Sequence, residues 1–151
     1  MEHFARRCIE HEGAGLISFQ FRHRVDRIDM TNGAAAGVSG TVLADDTAPR
    51  GASTNRDAVG DFAFKAASVI VTSGGIGGNF EMVRKAWPTA RLGPAPKEMI
   101  AGVPAHVDGR MIAISEQAGG QVINGDRMWH YTEGVKNWDP IWPAHGIRIL
   151  P

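Results

Sequence analysis

Ala67-Ser68-Val69-Ile70-Val71-Thr72-Ser73-Gly74-Gly75-Ile76-Gly77-Gly78-Asn79 is an apolar run that passes directly into a glycine cluster. The run is continuous rather than alternating, which predicts a strand covered on both faces, as in a parallel sheet. Asn79 is placed to cap a following helix, FEMVRKAW, in which Met82, Val83 and Ala86 share one face. Trp87-Pro88 ends that helix. Glycines at such a turn let the backbone approach a planar ligand or a phosphate with no side chain in the way. The cluster is not the dinucleotide fingerprint, because G-x-G-x-x-G counted from Gly75 ends on Phe80, and the phosphate loop G-x-x-x-x-G-K is absent. Taken alone, the pattern fits a ligand-binding turn and a plain tight crossover equally well.

Upstream, Ile17, Phe19, Phe21, His23 and Val25 alternate with polar residues, the period of a half-buried strand. Thr31-Asn32-Gly33 follows, and Asn-Gly predicts a two-residue hairpin turn because both positions tolerate positive φ. A second strand runs through AAAGVSGTVL, where Gly37 and Gly40 mark candidate bulges. Residues 44–58 form a polar loop, read as an exposed hairpin tip, before a third strand VGDFAFKA. Before all of these, residues 2–11 read as a helix with Phe4, Cys8 and Ile9 toward one side, ended by Gly13 and Gly15.

Downstream, residues 89–102 read as irregular. A helix is predicted after Asp108-Gly109, with Met111, Ile112, Ser115 and Ala118 at helical spacing and Gly119-Gly120 as its stop. QVIN is a candidate short strand. The remainder is aromatic and irregular, with Trp129, Trp138 and Trp142 read as core or interdomain packing.

Composition narrows the function classes. The chain has 151 residues, one ordinary domain, with 16 basic and 16 acidic side chains. That balance gives no reason to expect a nucleic-acid partner or an anionic membrane surface. Arg22, His23, Arg24 and Arg27 form one basic cluster, read as a solvated strand face. The 19 glycines imply many turns or close backbone contacts with a ligand. Cys8 is the single cysteine, so no internal disulfide forms; it reads as an inert, partly buried thiol. His106, His130 and His145 lack metal-ligand spacing, and no metal site is expected. The first residues lack the apolar core of a signal peptide, and no apolar run approaches the roughly 20 residues of a membrane span, so a cytoplasmic chain is expected.

Several of these segments together carry a resemblance. VIVTSGGIGGN resembles the A-T-G-G-(F/I)-G-G-N segment of the fumarate reductase and succinate dehydrogenase flavoprotein family. FRHRV and its hairpin strands resemble the meander before that segment. PAHVDGRMIAISEQAGG is similar to the family's T-G-D-G helix start, and MWHYTEG falls where the family has Q-x-H-P-T. The last residues, WDPIWPAHGIRILP, look closest to the ketosteroid-dehydrogenase-like FAD-binding dehydrogenases. The resemblance implies a mixed α/β fold, part of a Rossmann-like FAD-binding domain with a β-meander insertion, plus the start of a substrate-capping domain. Residues 1–124 would belong to the first, with the meander at about 16–66, the strand, glycine turn and helix at about 67–87, and a helix at about 108–119. Residues 125–151 would belong to the second.

The same resemblance implies roles. Val25 matches a meander position whose backbone contacts the adenine of FAD. Ser73, Gly74 and Gly75 match the turn passing close to the flavin, and Asp108 the acidic residue near the cofactor. Asp108 also reads as a helix cap, and the two readings are compatible. His130 and Thr132 match substrate-binding positions, although Tyr131 replaces the family's intervening proline; on the residues alone His130 reads as a packed histidine, and the resemblance turns the reading to substrate binding. The implied activity is hydride transfer between FAD and a carbon next to a carbonyl or carboxylate. The substrate would be a small molecule, steroid-like or an unsaturated acid. The family's phosphate-binding glycine loop has no counterpart in these residues, so the chain reads as an internal fragment whose partner is the remainder of the flavoprotein, inactive alone. The alternatives are a free-standing β-rich interaction module without cofactor and one half of a split flavoprotein.

Overall fold

The computed structural model describes residues 2–49, 52–128, 134–140 and 146–149. Its organising element is a three-stranded antiparallel meander in the order β1-β2-β3, formed by β1 (His23–Thr31), β2 (Ala34–Leu43) and β3 (Ala58–Lys65). The Asn32-Gly33 turn joins β1 to β2 with φ of 51° and 79°, the left-handed pair that matches the twist of the flanking strands. β2 coincides with the stretch predicted from sequence, and its two glycines sit at the two irregularities of the β1–β2 register. Val25 pairs with Gly40 and Arg27 with Ser39, leaving Asp26 as the extra residue of a bulge. A Cβ on Gly40 would lie 2.0 Å from the Arg24 carbonyl oxygen and 2.8 Å from the Asp26 nitrogen, so only glycine lets the bulge close. Over the opposite strand, His23, Phe62 and Phe64 form a ring cluster with centroids 4.8 to 5.7 Å apart.

Among the described residues, four helices flank the meander in sequence: α1 (Glu2–Gly13), α2 (Phe80–Lys85), α3 (Thr89–Leu92) and α4 (Arg110–Gln117). The Asn79 side chain accepts a hydrogen bond from the Met82 nitrogen at 3.1 Å, which fixes the start of α2 as expected. α1 forms, but the side carrying Phe4 and Ile9 is uncovered. α3 is a single turn within a stretch expected to be irregular; Pro88 at its cap presets φ at −79°. A small hairpin pairs β4 (Gly134–Lys136) with β5 (Ile147–Ile149). QVIN forms no strand.

Two expectations are corrected. β1 begins at His23 rather than near Ile17, because Arg22 adopts φ 60° and breaks the extended run. The apolar run 67–73 forms no strand either. Its backbone has no ladder partner among the described residues, and Ile70 is 86% exposed. A continuous apolar run becomes a buried strand only when neighbours satisfy its N–H and C=O groups. The same shortage shows in the whole chain. Its accessible surface is 11762 Å², whereas a folded monomer of this mass exposes roughly 7,500 Å². Ile28, Leu43 and Ile114 are the buried hydrophobic residues among those described.

Loop 44–58 is less free than an exposed hairpin tip. Arg22 donates to the carbonyls of Ala44 (2.7 Å) and Asn55 (3.0 Å), to the Asn55 side-chain oxygen (3.0 Å) and to Thr54 Oγ1 (3.2 Å). Asn55 in turn donates to Asp46 from its backbone (2.6 Å) and its side chain (2.7 Å). These bonds hold Asp46 below the usual carboxylate range.

Candidate cofactor cleft

The glycine cluster divides its labour. Gly74 has φ 84°, and a Cβ there would lie 3.0 Å from Val107 Cγ1. A Cβ on Gly77 would lie 2.9 Å from Val103, and one on Gly78 2.7 Å from the Pro104 carbonyl oxygen. Gly78 also donates to the Val107 carbonyl at 2.8 Å. These three glycines let the 73–79 turn seat against the 103–107 loop. Gly75 differs: a Cβ there would meet nothing within 4 Å. Of the two readings of the cluster, close packing accounts for Gly74, Gly77 and Gly78, while Gly75 leaves open space.

Beside this turn lies a cleft of about 790 Å³, with Gly75 among its lining residues. One wall is the meander, through His23, Arg24, Val25 and Val38. A second is the run from Ser68 to Gly75, and a third is the segment from Ala105 to Met111. Arg56 reaches it from loop 44–58. A smaller cavity of about 250 Å³ shares Val71, Ser73, Gly74 and Met111 with it.

Val25, Ser73, Gly74, Gly75 and Asp108, far apart in sequence, all line this one cleft. Asp108 does two things. It lines the cleft, and its Oδ1 accepts from the Arg110 nitrogen at 2.9 Å, but the cap residue of α4 is Gly109, one position on, and not Asp108 itself. Asn79 binds the same corner, its side-chain nitrogen donating to the Asp108 carbonyl at 3.3 Å. His130 and Thr132, the expected substrate residues, lie outside the described residues, as do Trp129 and Trp142. Trp138, expected in packing, is 65% exposed.

The sequence did not single out the polar lining. The basic cluster of β1 splits three ways. Arg22 turns into loop 44–58, His23 and Arg24 line the cleft, and Arg27 pairs with Asp29 at 2.7 Å on an exposed face. Arg110 is the first residue of α4. Its guanidinium donates to the Val25 carbonyl at 2.7 Å and pairs with Asp26. Asp26 also accepts from Thr41 Oγ1 (2.6 Å) and Arg24 Nε (2.9 Å). Burial pushes the Asp26 carboxyl up, but the bonds from Thr41, Arg24 and Arg110 outweigh it and hold it at about 2. No sequence pattern announces this pair, because it joins a bulge to a helix start.

The volume lies within the range of sites that enclose small molecules and cofactors. Gly75 and Val25 stand on two of its walls, and Arg24, Arg56 and Arg110 add cationic side chains to the lining. These features fit a dinucleotide with an aromatic ring system and a charged centre. Among the described residues no three His, Cys, Asp or Glu side chains converge as a metal site would need, and no helix is long and apolar enough to cross a membrane.

Sequence comparison assigns the class. The FAD-binding domain family model matches residues 1–151, and the chain belongs to that family of FAD-dependent oxidoreductases. A KsdD-like steroid dehydrogenase of Mycolicibacterium smegmatis is 59% identical over 151 residues, which are 100% of this chain and 27% of the relative. A KsdD-like steroid dehydrogenase of Mycobacterium tuberculosis is 59% identical over 135 residues, 89% of this chain and 24% of the relative. The chain thus spans about a quarter of the length of the curated relatives it matches. No solved structure matches it.

Proposed function

We propose that this chain supplies part of the FAD site of a larger dehydrogenase that moves a hydride between the flavin and a carbon adjacent to a carbonyl or carboxylate. The observation that carries the reading is the single cleft lined by Val25, Ser73, Gly74, Gly75 and Asp108. FAD, when bound, supplies the hydride chemistry; the protein's part is binding and orientation. The Val25 backbone would receive the adenine, the Ser73–Gly75 turn would lie against the flavin with Gly75 keeping its plane clear, and Asp108 would border the cofactor while holding the start of α4. A steroid-like substrate follows from the names of the similar dehydrogenases, and His130 and Thr132 would bind its activating oxygen. Residues 1–124 would form part of a Rossmann-like FAD domain, and residues 125–151 would open a substrate-capping domain.

The excess accessible surface supports an internal segment over a free-standing module. FAD also needs a helix N-terminus for its pyrophosphate. The isolated 151-residue chain should therefore bind FAD weakly and show no turnover, whereas the longest reading frame carrying it should bind one FAD per chain and lose the oxidised flavin's visible absorption when mixed anaerobically with a 3-ketosteroid. Tight stoichiometric FAD on the isolated chain would overturn the fragment reading. A full-length protein without flavin would overturn the site.

A further inference from the structure

Arg110 reaches three places on the cleft's framework, one through its backbone and two through its guanidinium. Its backbone nitrogen is held by the Asp108 carboxylate, one guanidinium nitrogen donates to the Val25 carbonyl at 2.7 Å, and another pairs with Asp26. Val25 and Asp108 stand on two different walls, β1 and the loop before α4. Asp26 is not one of the residues lining the cleft. The bulge opposite Gly40 and Ser39 makes it an extra residue on β1. Thr41 and Arg24 then fix its carboxylate from within the same sheet, at 2.6 and 2.9 Å. The acceptor is thus set in place before α4 reaches it. A planar guanidinium can bind a carboxylate and a carbonyl with two nitrogens at once, which a point charge cannot reproduce with the same geometry.

We propose that Asp26 and Arg110 form a clamp that positions the Val25 and Asp108 walls of the FAD cleft. The proposal rests on the reading of the cleft as a cofactor site. Neither carboxylate nor guanidinium takes part in hydride transfer; Arg110 itself lines the cleft, and Asp26 is a positioning residue that acts through Arg110 and Val25. Asp26 makes no cleft contact of its own, so its effect on the cofactor is transmitted entirely by geometry.

The test uses the full-length protein that carries this segment, stripped of flavin and titrated with FAD. Asp26→Asn and Arg110→Met should each weaken FAD binding roughly three- to tenfold, as expected for a partly exposed charge-assisted contact. The double variant should bind no worse than the weaker single, because one contact is lost either way. Arg110→Lys should recover part of the loss by restoring the charge. The apoprotein's melting temperature should not track affinity across the four variants. Affinity within twofold of the parent in both single variants would sink the clamp while leaving the cofactor site standing. So would losses that multiply in the double variant, or affinities that follow apoprotein stability with no rescue by lysine. Failure of the parent protein to bind FAD would remove both readings together.

Discussion

Gly75 and Gly78 stand three positions apart in one turn, yet alanine should act on them through different physics. At Gly78 the new methyl group would lie 2.7 Å from the Pro104 carbonyl oxygen and 3.0 Å from those of Ala105 and Val107. Three backbone oxygens of one loop cannot step aside as a side chain can. Overpacking of this kind costs roughly 1–3 kcal/mol. The Gly78 N–H bond to Val107, at 2.8 Å, would be strained with it. Alanine stiffens the unfolded chain and returns about 0.4–1 kcal/mol, leaving a net loss on the order of 1–2 kcal/mol for Gly78→Ala. At Gly75 nothing lies within 4 Å and φ is not positive, so Gly75→Ala should leave the apoprotein unchanged or slightly stabilised. Gly75 lines the cleft, so an added methyl group should lower FAD affinity. The assay is urea unfolding of both flavin-free variants in the full-length protein, followed by FAD titration. A Gly78→Ala variant as stable as the parent, or a Gly75→Ala variant that binds FAD undiminished, would refute the division of roles.

Other perturbations test other parts of the framework. The Asp26 carboxyl is depressed from 3.8 to about 2, so its contribution is present above about pH 4 and is lost as pH falls through about 2. Its partners are partly exposed, which limits the effect to about 1 kcal/mol; Asp26→Asn should flatten the acid limb of urea midpoints measured between about pH 5 and pH 2. Asn79→Ala removes the cap of α2 and the link to the Asp108 carbonyl, and should cost about 1 kcal/mol in the same unfolding assay. Arg22→Ala cuts four hydrogen bonds that fasten loop 44–58, and limited proteolysis should cleave there several times faster.

What could be read from sequence was local. The Asn32-Gly33 turn, both limits of β2, the Asn79 cap and the start of α4 each depend on residues a few positions away, and each appears where expected. The start of β1 was misplaced because alternation from Ile17 to Val25 carries no trace of the left-handed kink at Arg22. That kink is held by contacts to residues 44, 54 and 55, which no periodicity encodes. The apolar residues of the run 67–73 ask for cover on two sides, the pattern of a buried strand; whether cover arrives depends on partners, and none of the described residues pairs with its backbone. Among the site residues, Ser73, Gly74, Gly75, Asp108 and Val25 were singled out by family resemblance, not by pattern. Arg110 and Asp26 escaped because an arginine at a helix start and an aspartate in a strand are unremarkable until folding sets one beside the other.

The cleft is therefore better understood as an assembly of three short segments than as a glycine motif. The motif's glycines mainly let the 73–79 turn sit on the 103–107 loop, and Asn79 fixes that seat to Asp108. Arg110 then carries the connection to β1. Each link spans a gap that the neighbouring backbone leaves open, so loss of one should loosen the wall it holds before the meander melts. The meander keeps its own ladder of strand pairs, its Asn-Gly turn and its ring cluster. Damage to the links should accordingly appear as weaker cofactor binding at nearly unchanged strand content, which far-ultraviolet circular dichroism of the flavin-free variants can separate from unfolding.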